Sequence, residues 1–143
     1  MKPSGACALL LAALSACTPG GMLGAQSGGG ATASIDVNLT QHADGYLPDS
    51  IDVAVGSTIR FVNSDSFAHT ATLIPGAVGF PSGSPFTTSA LTQSGSAVSQ
   101  PWSTGSLAAG ASSQTLTIDA PGTYYFGCFY HYGAPMRGTI VAH

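Results

Sequence analysis

Nine residues near the C-terminus, Cys128-Phe-Tyr-His131-Tyr-Gly-Ala-Pro-Met136, restrict this chain more than any other stretch. They present a thiol, an imidazole and a thioether at the spacing Cys-x2-His-x4-Met. A loop that turns all three toward one point has to be held at both ends by a rigid frame. Two imidazoles and a thiolate in a plane, with a weak axial thioether, make a site suited to a single copper ion. The loop holds only one imidazole, so the second must come from elsewhere in the chain.

The frame is legible as a period of two. Ile35, Val37 and Leu39 alternate with Asp36, Asn38 and Thr40, and Ile51, Val53 and Val55 with Asp52 and Ala54. After the turn signal Gly56-Ser57, Ile59 and Phe61 flank Arg60. Further short runs at 69–74, 114–118, 123–129 and 138–142 are rich in Val, Ile, Thr, Tyr or Phe and bounded by Gly, Pro, Asn, Asp or Ser. No segment beyond residue 34 keeps a 3.6-residue apolar stripe for three turns. The pattern predicts one all-β domain over 34–143, a β-sandwich of about seven or eight strands. The stretch 75–101, rich in Gly, Ser, Thr and Pro, reads as a long irregular surface connection with room for one short helix.

Of the four histidines, His42 precedes the turn signal Ala43-Asp44-Gly45 and His143 ends the chain. Both read as exposed bystanders. His69 opens a strand after the loop 63–68, where it would share a face with Ala71 and Leu73. An imidazole on an apolar face is, by itself, more often a satisfied core side chain than a ligand, so its surroundings must decide.

The N-terminus predicts export. Lys2 precedes an apolar run at 6–16 containing Leu9-Leu10-Leu11, too short for a permanent membrane span. It ends in Leu14-Ser15-Ala16-Cys17, which resembles a bacterial lipobox. On that reading 1–16 is a signal peptide, Cys17 is acylated, and 17–33 is a flexible Gly-rich tether. The folded part would then sit outside the cytoplasm, as a periplasmic or cell-surface lipoprotein held to a membrane through the lipid on Cys17. Cleavage after a small residue, with Cys17 incidental, is the plainer alternative. With Cys7 in the leader and Cys17 blocked, Cys128 is the one free thiol in a compartment where disulfides are the norm, and metal ligation gives it a reason. Only 6% of residues are charged, and the mature part keeps Arg60 and Arg137 against six aspartates. Without a basic patch, nucleic acid is excluded as a partner.

Phe61-Val-Asn63-Ser-Asp65-Ser-Phe-Ala-His69-Thr-Ala-Thr, with Gly122-Thr-Tyr-Tyr-Phe-Gly-Cys128-Phe-Tyr-His131 and Met136-Arg-Gly-Thr-Ile-Val141, resembles the cupredoxins, on the plastocyanin/pseudoazurin branch. Tyr46-Leu-Pro48, Val55-Gly56-Ser-Thr and Gly105-Ser-Leu-Ala-Ala-Gly110 extend the resemblance over most of 35–141. It implies a Greek-key β-sandwich with His69, Cys128, His131 and Met136 around one type 1 copper ion. The implied function is one-electron transfer between Cu(I) and Cu(II), not enzymatic catalysis, by a monomer that meets redox protein partners. The resemblance also implies that the backbone N–H of Thr70 donates to the thiolate. Asn63 either braces the approach loop or is a plain turn residue. Phe67, Ala68, Tyr132, Ala134 and Pro135 would form an apolar rim around His131, for docking or simply to close the sandwich. The branch is set by the short Cys-to-His spacing, since azurin-type loops are longer. Gly127 and Tyr130 depart from the family's usual bulky residue before the Cys and Pro before the loop His, and the acidic patches of plant plastocyanins have no counterpart. The alternative is copper storage, delivery or resistance with the same ligands, a role that usually takes more Met or Cys than this mature chain holds.

Overall fold

A computed structural model describes residues 30–143; the leader, Cys17 and nearly all of the tether lie outside the described residues. The described chain forms ten strands: β1 (Thr32–Val37), β2 (Tyr46–Leu47), β3 (Ser50–Val53), β4 (Thr58–Asn63), β5 (Thr72–Leu73), β6 (Gln93–Ser94), β7 (Ser103–Thr104), β8 (Leu116–Thr117), β9 (Gly122–Gly127) and β10 (Arg137–Ala142). They build two mixed sheets, ordered β2-β1-β4-β8 and β3-β10-β9-β5-β7-β6. The pairs β1–β4 and β3–β10 are parallel, and the other strand pairs are antiparallel.

Alternation explains which faces meet. In β4, Ile59, Phe61 and Asn63 turn inward while Thr58, Arg60 and Val62 do not. Ile35 and Val37 of β1, Leu116 of β8, Phe126 of β9 and Ile140 of β10 complete the same buried layer. Tyr46, Phe61, Trp102 and Phe126 cluster inside it, with the Tyr46 and Phe126 ring centres 4.9 Å apart in an edge-to-face contact. Burying side chains of this size, at about 1.5–3 kcal/mol each, is what holds two sheets of short strands together.

There are more strands than the alternation predicts because several are two-residue pairs of polar residues, such as β6 and β7, which carry no apolar signal. Folding also begins earlier than residue 34. Thr32 pairs with Thr58 across the β1–β4 ladder, their hydroxyls 2.8 Å apart. The run expected as a strand at 69–74 is reduced to β5. His69 joins the sheets only through a bridge to Leu107, with backbone bonds of 3.1 and 2.8 Å.

The connection 75–101 is more than irregular surface. It contains a 3-10 turn at Thr88–Leu91 and strand β6. Val98 is fully buried, and its N–H donates to Thr117 O of β8. The Gln114 amide donates to the carbonyls of Ser94, Gly95 and Ser103. The segment therefore laces one sheet to the other, a long-range role that no local pattern announces.

Candidate metal centre

β9 delivers Cys128 one residue past its end, and β10 begins one residue after Met136. Cys128 N–H donates to Met136 O at 3.0 Å, closing the base of the loop, and Met136 N–H donates to His131 O at 3.2 Å. From the other side, β4 feeds the loop that ends at His69. The fold thus brings together His69 Nδ1, Cys128 Sγ and His131 Nδ1, all within 4.8 Å of one another. The nitrogens are 3.1 Å apart, and Sγ lies 3.9 Å from His69 Nδ1 and 3.7 Å from His131 Nδ1. Metal–nitrogen bonds of about 2.0 Å and metal–sulfur bonds of about 2.3 Å, met at trigonal angles, place such atoms about 3.5–3.7 Å apart. The spacing suits one first-row ion. Its donor set, two nitrogens and a soft sulfur, suits copper.

Cys128 and His69 have no exposure, while His131 is partly open. A shallow depression lined by Leu39, Thr40, Asp65, Phe67, His69 and His131 marks the open side. Met136 is also fully buried, and its side chain lies against Gly45. A Cβ on Gly45 would come within 2.5 Å of Met136 Cγ, and Gly45 has φ +70°, where side chains are strained. Only glycine leaves room for the thioether there.

The side chains around the sulfur are tightly bonded. Thr70 N–H points at Cys128 Sγ at 3.4 Å. Thr70 Oγ1 accepts from Phe129 N–H at 2.8 Å, and its carbonyl accepts from the buried Tyr46 hydroxyl at 2.6 Å. Asn63 is a brace rather than a plain turn residue. Its amide donates to Phe67 O and Leu107 O at 2.8 and 2.9 Å, and its Oδ1 accepts from Asp65 N–H at 2.9 Å.

The most informative residue missed by the sequence reading is Asp65. Its Oδ2 lies 3.0 Å from His69 Nε2, with both side chains almost fully buried. Burial works to raise the Asp65 carboxyl, but hydrogen bonds involving His69, Thr40 and Ser66 overcome it and hold the group well below the usual carboxylate range. The available signal is its place in the approach loop, four residues before a candidate ligand. At His131, burial and the facing His69 push the imidazole below its ordinary value, against a smaller opposing pull from Asp65.

The rim differs from expectation. Phe67 is 63% exposed and lines the depression beside His131, and Ala68, Ala134 and Pro135 are exposed as well. Tyr132 is not part of it. Its ring is buried, its hydroxyl donates to Pro81 O at 2.9 Å, and the Arg137 guanidinium stacks 4.4 Å from its centre. The cause is Gly127: a Cβ there would lie 2.9 Å from the Tyr132 ring, so the missing side chain makes the space that the ring fills. Tyr130, unforeseen as a surface group, is 44% exposed and hydrogen-bonds through its hydroxyl to Ser106. His42 is not a free bystander either, because its Nε2 lies 2.7 Å from Asp36 Oδ2. His143 is exposed, but its backbone bonds to Val53 and Val55.

The family model for copper binding proteins of the plastocyanin/azurin family matches residues 33–143. The chain belongs to that family. It is 29% identical over 122 residues to a plastocyanin of Prochlorothrix hollandica, covering 84% of this chain and 79% of the relative. Among solved structures, dithionite-reduced auracyanin from Roseiflexus castenholzii aligns with TM-score 0.53 and 22% identity, over 81% of this chain and 99% of that one. A purple cupredoxin from Nitrosopumilus maritimus aligns with TM-score 0.52 and 18% identity, over 78% and 99%. The all-β sandwich is therefore the cupredoxin fold, and copper is the cofactor that family and donor set share.

Proposed function

We propose that the chain is a type 1 copper electron carrier whose ion is held by His69, Cys128 and His131, with Met136 as the weak axial donor. The observation that carries this is the convergence of two imidazole nitrogens and one buried thiol on a single point. His69 Nε2 faces a carboxylate, which takes a hydrogen only as acceptor, so Nδ1 presents its lone pair inward. The two nitrogens lie 3.1 Å apart beside the thiol, so a cation bound between them would meet all three donors at once.

Bound copper supplies a one-electron couple. Cys128 would bind as thiolate and give the coloured copper–sulfur bond. His69, held by the Asp65 carboxylate, and Thr70 and Asn63, held by hydrogen bonds to backbone, would keep the site from rearranging as the charge changes. His131 is the partly open ligand, and the exposed Phe67, Ala68, Ala134 and Pro135 would offer apolar surface suited to brief contact with a redox protein partner. The burial of Cys128 and His69 favours a carrier over a copper store or delivery site, which needs exchangeable metal, and over an enzyme, which needs an open position for substrate. We place the domain outside the cytoplasm as a monomer, tethered through lipid at Cys17.

Titration of the purified chain with Cu(II) tests the centre. The expected result is an intense blue or green band with narrow copper hyperfine splitting in paramagnetic resonance, lost in Cys128→Ser. A colourless tetragonal spectrum would sink the reading. Incorporation of labelled fatty acid by wild type but not by Cys17→Ala tests the anchor.

A further inference from the structure

His69 offers one nitrogen to the metal point and gives the other to Asp65. The carboxylate is itself fixed from two segments. Thr40 donates through Oγ1 to Oδ1 at 3.0 Å and through its backbone N–H to Oδ2 at 3.3 Å, and Ser66 N–H donates to Oδ1 at 2.7 Å. Asp65 does not belong to the cluster of three ligand atoms, so it acts through the His69 ring. Both Arg60 and Arg137 are absent from its hydrogen-bond partners, which leaves one negative charge, buried and without a guanidinium, behind a ligand imidazole.

We propose, resting on the copper reading above, that Asp65 is a positioning residue that sets the reduction potential. It locks His69 with hydrogen on Nε2 and the lone pair on Nδ1, and it makes the ring a stronger donor. With a thiolate ligand, the oxidised centre carries one more positive charge than the reduced centre. A carboxylate held nearby in a poorly solvated site favours the oxidised form, because Coulomb attraction is less screened there. Asp65 therefore tightens Cu(II) more than Cu(I) and lowers the potential. Thr40, on a different loop, controls how much of the carboxylate's charge is left for His69.

The test uses the full chain, wild type against Asp65→Asn, Asp65→Glu and Thr40→Val. Cu(II) and Cu(I) affinities are measured by chelator competition, the potential by voltammetry, and the His69 tautomer of the metal-free protein by nitrogen-15 NMR. Asp65→Asn should stay blue, lose about 10–100-fold in Cu(II) affinity, and lose less for Cu(I). Each tenfold gap between the two losses corresponds to a rise of about 59 mV. Metal-free Asp65→Asn should show mixed His69 tautomers, and Asp65→Glu should move both readouts back toward wild type. If Asp65→Asn does not fold, Thr40→Val decides: it removes a neutral donor and keeps the charge, so the potential should fall. An unchanged potential and tautomer in Asp65→Asn, or a constant or higher potential in Thr40→Val, overturns the proposal. A wild type that never turns blue would defeat the copper reading instead, while the metal-free tautomers would still decide whether Asp65 orients His69.

Discussion

The two loops that meet at the metal point are built differently. The approach loop, 63–70, is cross-braced from within: Asn63 bonds Phe67, Leu107 and Asp65, and Asp65 bonds Thr40, Ser66 and His69. The ligand loop, 128–136, is fastened at its base by Cys128 and Met136 and held outward along its length by Phe129 on Thr70, Tyr130 on Ser106 and Tyr132 on Pro81. Its tip, Gly133 to Pro135, is exposed. One side of the site thus holds its ligand, His69, buried and braced by side chains, and the other presents His131 partly open. An electron carrier needs both, since a fixed coordination sphere keeps rearrangement small and an open ligand edge lets a partner come close.

That contrast can be broken experimentally. Asn63→Ala takes the acceptor from the buried Asp65 N–H and the donor from Phe67 O, while Leu107 O keeps its bond from His69 N–H. With a stranded buried group costing about 1–3 kcal/mol, chemical denaturation should show a loss of about 2–3 kcal/mol. Gly45→Val combines left-handed strain of about 1–2 kcal/mol with displacement of Met136. It should lower the melting temperature and also alter the paramagnetic spectrum, which Asn63→Ala should change less. Tyr132→Phe removes one hydrogen bond and should cost about 1 kcal/mol. A loss as large as that of Asn63→Ala would mean the ligand loop is not the softer side.

The two sides should also separate by pH. The folded chain holds the His131 imidazole below its ordinary value, so the unfolded chain binds that proton first. Stability of the metal-free protein should therefore begin to fall as pH drops below about 6.5, and His131→Gln should remove that step. Asp65 is displaced downward as well, but for a carboxylate the stabilisation is present above its unfolded value of about 3.9 and is lost only as pH falls below it. Denaturation curves from neutral to strongly acidic pH should show the open side failing first. The smallest effect on stability belongs to Phe67→Ala, within about 0.5 kcal/mol, because the ring is exposed; its expected cost is a slower electron exchange with a redox partner protein.

Residue types and spacing alone pointed to an all-β sandwich and to three candidate donors, Cys128, His131 and Met136, while His69 came from the resemblance to the cupredoxins. Apolar alternation is local and survives in the primary sequence, and the compact Cys-x2-His-x4-Met spacing limits how those side chains can be arranged. Neighbours far apart in sequence were decided only by the tertiary structure. Tyr132, surrounded in the chain by rim residues, is drawn inward because Gly127 leaves a hole beneath it. Gly45 reads as one more turn glycine until Met136 is packed against it. The polar strands β6 and β7 exist because they pair with each other and β7 pairs with β5 across the sheet. Asp65 is an ordinary loop aspartate in the sequence, and becomes the second partner of His69 only when Thr40, 25 positions upstream, helps hold its carboxylate in place. Spacing selects which residues can reach a point; whether a buried charge is tolerated beside them depends on donors that only the folded chain brings there.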